Sequence, residues 1–437
     1  KETSPNLDKF SRDAIIFTNA FSQSSWSLPA VASLLTSKYP LAHGLMSRQI
    51  LDPSETTLAE ILKLYNYTTV AFTGGGDYRS IYGINRGFDI FDDDSSSIIF
   101  TGSFNRTTNI ALEWLENNKD KKFFMFLQGY DAHCPFNPPK EYQALFKQKY
   151  NGNLNDSLCI RGLDVKVDFK SESNFSFTAL YFKNMTLSPT NSQLVPVNLT
   201  KDDIVHLISY YDSEIRYVDD LLGEFLTSFN KLGLMDNTII VIVGDHGETF
   251  GEHGIFVRMG IVRGSLHDDI IRIPLVIKHP LIKKGKKINS LVEAIDVMPT
   301  VLDFLGIPKN HEAQGMSLLP LINNSEENLR EFVFSGGKFS AAQIFPHFTI
   351  NEVIRSKKWK LVFERSTDGK INNLELYNLE NDPNELNNVV ALKPEIAKML
   401  KGFLDKWEET VTIKRDLKNA ELSETELKAI REAGYLG

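Results

Sequence analysis

The chain has 437 residues, with 48 Lys and Arg against 56 Asp and Glu for a net charge of -8, and is 42% hydrophobic and 24% charged. These values suit a folded chain with an ample core and exclude a disordered one, and the absence of a long basic run excludes a nucleic-acid surface. No apolar run approaches membrane-spanning length, and two cysteines, Cys134 and Cys159, are too few for a disulfide framework; two unpaired thiols are expected, with one bridge between them as the alternative.

The opening Lys1-Glu2-Thr3 is polar, without an initiator Met or a signal-like apolar segment, so a leader removed earlier or a preceding segment is expected. Sequons at Asn66, Asn105, Asn155, Asn174, Asn184, Asn198 and Asn323 are expected by chance in an Asn-rich chain. A short helix over Asn6–Ser11 precedes an Ile- and Phe-rich strand, Ala14–Thr18. In Ser27-Leu28-Pro29-Ala30 the proline suits the first turn of a helix, which needs no amide hydrogen there. Ser27 thus stands at a helix N-terminus, where unpaired amides and the dipole favour an anion, although a serine in that place is usually only a cap.

A helix over Thr57–Tyr65 leads into the strand Thr68–Phe72, and Gly74-Gly75-Gly76 reads as a tight strand-to-helix turn rather than an oxyanion cradle. Ile110, Ala111, Trp114 and Leu115 have helical spacing within 108–118. The buried strand Lys122–Gln128 ends in Tyr130-Asp131-Ala132-His133-Cys134-Pro135, polar groups that can bind or donate. Residues 145–200 are rich in Asn, Ser, Lys and Phe with weak periodicity, and read as an insertion on the core. Regularity returns in a long helix, Lys201–Leu232.

Ile239–Val243, five β-branched apolar residues in a row, predicts a strand buried on both faces, as in a parallel sheet under helices. Asp245 and His246 stand side by side just past its end, where open α/β sheets bind ligands. Carboxylate and imidazole together suit a divalent cation. A polar loop after Gly254 carries Arg258, Arg263 and His267. Strands over Ile273–Ile277 and Ser290–Ile295 follow, then a helix, Val297–Leu305, capped by Asp296 and closed by Gly306. The alternation marks a three-layer α/β/α domain over residues 1–330. From Glu331 the runs Phe332–Phe334, Val353-Ile354, Trp359–Phe363 and Leu374–Leu379 predict an antiparallel sheet, with a turn at Ser366–Gly369 and one helix, Pro394–Trp407. Residues 331–437 thus read as a smaller α+β lobe and a charged tail, with a helical segment over Glu424–Ala433.

In order along the chain, Ser4-Pro5-Asn6-Leu7-Asp8, Ser27-Leu28-Pro29-Ala30, Arg86-Gly87-Phe88-Asp89, Asp131-Ala132-His133 and Tyr211-Asp212-Ser213-Glu214 resemble the sulfatase family of the alkaline phosphatase superfamily. The series continues through Gly244-Asp245-His246-Gly247-Glu248, Gly251-Glu252-His253-Gly254, Ile271-Arg272-Ile273-Pro274, Asp296-Val297-Met298-Pro299-Thr300, Leu376-Tyr377-Asn378-Leu379 and Asp382-Pro383. The resemblance implies an alkaline phosphatase-like fold and a metal-dependent hydrolase of small-molecule or glycan sulfate esters. It places Asp245 and His246 as ligands of a divalent cation, Ca2+ in sulfatases and Mn2+ or Zn2+ in phosphoester relatives. Ser27 falls at the nucleophile, His133 where a histidine contacts the ester or protonates the leaving oxygen, and Arg263 and His267 near a sulfate-binding lysine. A periplasmic or secreted location follows from the same resemblance.

Three departures qualify it. The family's strand ending in two Asp residues has no counterpart before Asn6-Leu7-Asp8, so half of the expected metal shell lies outside this sequence. Val31 occupies the position of the signature Arg that accompanies conversion of the nucleophile to formylglycine, and Ala30 replaces the usual Ser. An unmodified Ser27 would instead suit a phosphodiester or phosphonate hydrolase or a phosphoryl transferase, and an inactive binding paralogue is the third expectation.

Overall fold

The computed structural model describes residues 1–93, 103–134, 136–152, 160–161, 176–183, 193–254, 265–309, 312–339, 349–366, 368–421 and 423–424. The Ile- and Phe-rich segment after the first helix (Pro5–Ser11) forms β1 (Ile15–Phe21), longer at its C-terminal end than the apolar run suggests. The second sheet holds β2 (Thr68–Phe72) between β3 (Ile90–Asp92) and β4 (Phe123–Leu127), all parallel. A third, antiparallel sheet contains β5 (Ile160–Arg161), β6 (Ser176–Lys183) and β7 (Gln193–Thr200). In the first sheet β1 lies between β9 (Arg272–Lys278) and β10 (Lys286–Glu293), with β8 (Ile240–Val243) outside β9.

β1 runs parallel to β10 and antiparallel to β9, and β8 pairs antiparallel with β9. This corrects the expectation of a doubly covered parallel strand at Ile239–Val243: β8 is an edge strand among the described residues, and its four residues are only half-buried. An apolar run fixes the demand for burial, whereas strand direction is set by the partner that supplies the ladder. The strands of this sheet and the segment after β10 share one apolar cluster, including Ile15, Phe17, Ile273, Leu275, Ile288, Val292 and Leu318.

The insertion is not featureless: β6 and β7 form an eight-residue antiparallel pairing. In the sequence Phe177, Leu180, Tyr181 and Phe182 fall at odd and even positions alike, so no clean two-residue alternation announces the strand. Thr200 ends β7 and caps the long helix Lys201–Lys231 through a capping box with Asp203. Asp296 does not cap the helix Val297–Phe304 with its side chain. Its carboxylate instead accepts the Glu293 and Met316 amides and pairs with Arg330, because a buried carboxylate needs more partners than one cap provides.

The C-terminal lobe is an antiparallel meander of β11 (Val333–Phe339), β12 (Thr349–Arg355), β13 (Trp359–Ser366) and β14 (Ile371–Asn378), as its closely spaced strand signals predict. Gly369 turns at φ +87°, the left-handed backbone expected between β13 and β14. One face of this sheet packs Ile354, Leu361, Phe363 and Leu376 against Ala397, Leu400 and Leu404 of the helix Pro394–Val411. The other packs Val333, Val353, Val362 and Tyr377 against Phe21, Leu266, Ile270 and Ile271 of the large domain. Ser335 Oγ donates to the Ser22 carbonyl, and the Gly336 amide to Gln23 O at 2.9 Å, so β11 adheres to the chain just before Ser27.

His43 is wholly buried, with Nδ1 accepting the Leu45 amide at 3.0 Å and Nε2 3.0 Å from Ser33 Oγ. Burial, reinforced by the Lys38 charge, pushes it from 6.5 down to about 3. A depressed imidazole stays neutral in the fold while the unfolded chain takes up the proton, so stability is full above pH 6.5 and lost as pH falls towards 3. Between pH 7 and 5 the wild type is expected to lose about 2 kcal/mol more than His43→Asn in urea unfolding. Equal losses in the two proteins would exclude His43 as a source of acid sensitivity.

Candidate active site

Ser27 is the first residue of the helix Ser27–Thr36, and no side chain caps that helix. Its hydroxyl lies instead 3.1 Å from His246 Nε2. The cap, the ordinary use of such a serine, is therefore not its use here. His246 Nδ1 is 2.9 Å from the Gly247 carbonyl, an acceptor only, so Nδ1 carries the proton and Nε2 the lone pair aimed at Ser27. Asp245 Oδ2 sits 3.4 Å from the same Nε2, while Oδ1 accepts the His246 amide at 2.9 Å.

Tyr78 OH donates to Asp245 Oδ2 at 2.9 Å. Burial and then the Asp245 charge hold this phenol well above its ordinary range, so it remains a donor. No motif in the sequence singles out Tyr78, although it stands just past a strand end and a glycine run. Those glycines make the expected turn. Gly75 and Gly76 have φ +79° and +61°, a side chain at Gly76 would strike the Tyr130 ring, and the Gly74 amide is bonded to Gln128 Oε1.

His133 lies 4.9 Å from Tyr130 between ring centres, and Tyr130 meets Tyr78 edge-on at 6.3 Å. Trp26, Leu28, Tyr78 and Tyr130 belong to one buried cluster, which places the His133 turn against the helix that opens at Ser27 and against Tyr78, the partner of Asp245. His133 Nδ1 is 2.6 Å from the Cys134 carbonyl, an acceptor only, so Nδ1 carries the proton of the neutral ring. Asp131 steadies this turn by accepting the Phe104 amide at 2.6 Å, and burial raises its carboxyl. Cys134 is disulfide-bonded, which corrects the expectation of two unpaired thiols; Cys159, the chain's other cysteine, lies outside the described residues. Counting cysteines gives no information on whether the two lie near each other.

His267 is held by Ser265 of its own loop and by the C-terminal lobe. Nδ1 is 2.8 Å from Ser265 Oγ and Nε2 3.2 Å from Glu375 Oε2, and its ring stacks on His253 at 3.6 Å. Burial, then the neighbouring His267, pushes His253 down to about 3. Burial would raise Glu375, but the bond and charge of His267 prevail and bring it to about 2. Arg258 and Arg263, and the tail helix over Glu424–Ala433 apart from its first residue, lie outside the described residues.

The donor set suits a divalent cation: a carboxylate and an imidazole lone pair converge beside a hydroxyl, and a buried phenol orients the carboxylate. It supplies two ligands. No group of three or more His, Cys, Asp or Glu that could hold a metal occurs among the described residues.

Comparison with known proteins bears on the family and the fold. The family model described as Sulfatase matches residues 1–307, and that of the N-sulphoglucosamine sulphohydrolase C-terminal region matches residues 251–411. Arylsulfatase K of Homo sapiens is 25% identical over 415 residues, spanning 87% of this chain and 73% of the relative. N-acetylglucosamine-6-O-sulfatase of Bacteroides thetaiotaomicron is 26% identical over 467 residues, spanning 93% and 81%. Among solved structures, a protein in complex with its substrate D-glucosamine-2-N,6-O-disulfate superposes with TM-score 0.70 at 19% identity, covering 93% of each chain. The phosphonate monoester hydrolase of Agrobacterium radiobacter gives TM-score 0.69 at 20% identity, covering 96% and 93%.

Proposed function

The chain belongs to the sulfatase family, and from that premise we propose that the oxygen of residue 27 attacks the sulfur of a glycan or small-molecule sulfate ester. The alkaline phosphatase-like fold and sulfuric ester hydrolysis come with the family. The observation that carries the finer reading is the 3.1 Å approach of Ser27 Oγ to His246 Nε2 beside Asp245.

Asp245 and His246 would hold a divalent cation, Ca2+ in the sulfatase reading, which polarises the ester and lowers the cost of developing negative charge. The Nδ1 bond of His246 to Gly247 keeps Nε2 in the tautomer that binds. Tyr78 fixes the Asp245 carboxylate. His133 Nε2 delivers a proton to the departing ester oxygen, with the ring held in place by Tyr130 and the Cys134 carbonyl. Arg263 is assigned to the sulfate oxygens. For His267 the bonds to Ser265 and Glu375 support a role in holding its segment.

Glycan specificity is supported by the relatives and by the sugar disulfate bound in the superposed structure. Export to an oxidising compartment is supported by the Cys134 disulfide, a bond that reducing cytosol does not sustain. Exposed sequon asparagines at Asn66, Asn105 and Asn323 are compatible with it. No helix among the described residues is long and apolar enough to cross a membrane.

Val31 in place of the signature Arg favours one rival, direct attack of unmodified Ser27 on phosphorus. Two measurements decide between them. Aryl sulfate turnover in Ca2+ should exceed aryl phosphodiester turnover in Mn2+, and the peptide spanning Ser27 should show the loss of two hydrogens that marks formylglycine. The opposite ranking with an intact serine would replace sulfur by phosphorus as the centre attacked.

A further inference from the structure

The short segment between His267 and Pro274 joins the two halves of the site. Ile271 O accepts the Ser22 amide at 2.8 Å, just past β1 on the way to Ser27. Ile270 O accepts the Gly247 amide at 2.5 Å, and Pro274 O the Gly244 amide at 3.0 Å, on either side of Asp245 and His246. The approach at Gly247 is so close that a side chain there would collide with the Asp269 carbonyl, which gives this glycine its reason. Whatever fixes this segment fixes the distance between Ser27 and His246.

The C-terminal lobe fixes it. Lys360, fully buried on β13, puts its ammonium 2.8 Å from Asp268 Oδ1 and 2.6 Å from Glu385 Oε1. Arg355 of β12 reaches Asp268 Oδ2 at 3.0 Å, and Glu385 Oε2 accepts the Asp268 amide at 2.7 Å. Glu375 and Tyr377 of β14 hold His267 next door, the Tyr377 hydroxyl bonding Glu375 at 3.0 Å. Replacing such a network by well-packed apolar residues is often neutral or stabilising, so burying two cations and two carboxylates is weak evidence of a gain in stability. What the network does supply is a single geometry, because each charge tolerates only one arrangement of its partners.

We infer that Lys360, with Arg355 and Glu385, is a positioning residue for the reaction: it clamps Asp268 so that the His267–Pro274 segment holds Ser27 against His246. The inference rests on the assignment of Ser27 and His246 to the chemistry, and its primary readout needs no substrate.

The test compares the full chain with Lys360→Met, which keeps length and removes charge, and with Leu400→Ala, which loosens the helix on the opposite face of the same sheet. Hydrogen exchange over Gly244–Phe250 should quicken about tenfold in Lys360→Met and stay unchanged in Leu400→Ala. Where turnover is measured, kcat should fall about 10- to 100-fold with KM within about twofold, as for a misplaced reacting group. Glu385→Gln, which keeps the size of the side chain, should give the same pattern at reduced amplitude. Equal exchange at Gly244–Phe250 in Lys360→Met and Leu400→Ala, or a kcat that only tracks the folded fraction, would overturn the inference. So would failure of both Lys360→Met and Glu385→Gln to fold, since the network would then be structural alone. A wrong substrate class leaves the exchange result readable, so the two readings fail separately.

Discussion

Ser27→Ala is expected to lower kcat/KM by about 10^4-fold or more, because in the proposed reaction the substitution removes the attacking oxygen. The fold should survive. Ser27 Oγ is bonded to His246 Nε2 and does not cap its helix, so the loss is about 1 kcal/mol in urea unfolding, the worth of one buried hydrogen bond. Steady-state rates on an aryl sulfate and the unfolding midpoint, measured on the same preparation, check both halves. Activity within tenfold of wild type would remove Ser27 from the chemistry, and a collapse of stability would make the rate uninformative. Val31 enters here as well: if the serine is converted, Ser27→Ala also abolishes the aldehyde, and mass spectrometry separates that outcome from loss of a hydroxyl.

The second large effect is expected at Asp245. Asp245→Asn keeps the shape and can still accept from Tyr78, but removes the charge that a cation requires. Metal retained after dialysis should fall below stoichiometry, and kcat/KM should drop on the order of 10^3-fold, with partial recovery at high Ca2+. Tyr78→Phe leaves the ligands intact and removes only the orienting bond, so the loss should be smaller, about 10- to 100-fold in metal affinity. Elemental analysis and a Ca2+ titration distinguish the two variants. If Asp245→Asn kept both its metal and its rate, the cation would have to be held elsewhere.

Much of this was written in the residue order. Local signals set the strand and helix runs, because the period of apolar residues, the proline in the first turn at Pro29 and the glycine at Gly306 act within a few residues. The same locality placed Asp245 and His246 at a strand end, and the ordered motifs tied Ser27 and His133 to them. Other features lay beyond it. The antiparallel pairing of β8 depends on which strand arrives beside it, and the β6–β7 pairing was concealed by apolar residues at odd and even positions alike in the sequence. The disulfide at Cys134 depends on nearness in space that no spacing encodes.

By itself the sequence determined most of the elements outside residues 145–200, the chemical groups and the family to which they belong, since these follow from short-range pattern and residue type. Only the tertiary structure decided that Ser27 meets His246 rather than capping its own helix, that Tyr78 orients Asp245, and that Lys360 holds Asp268. Each of those contacts joins residues more than ninety positions apart in the chain. Such pairs become neighbours only when the sheets and the lobe have packed, and burial then makes their few polar bonds decisive.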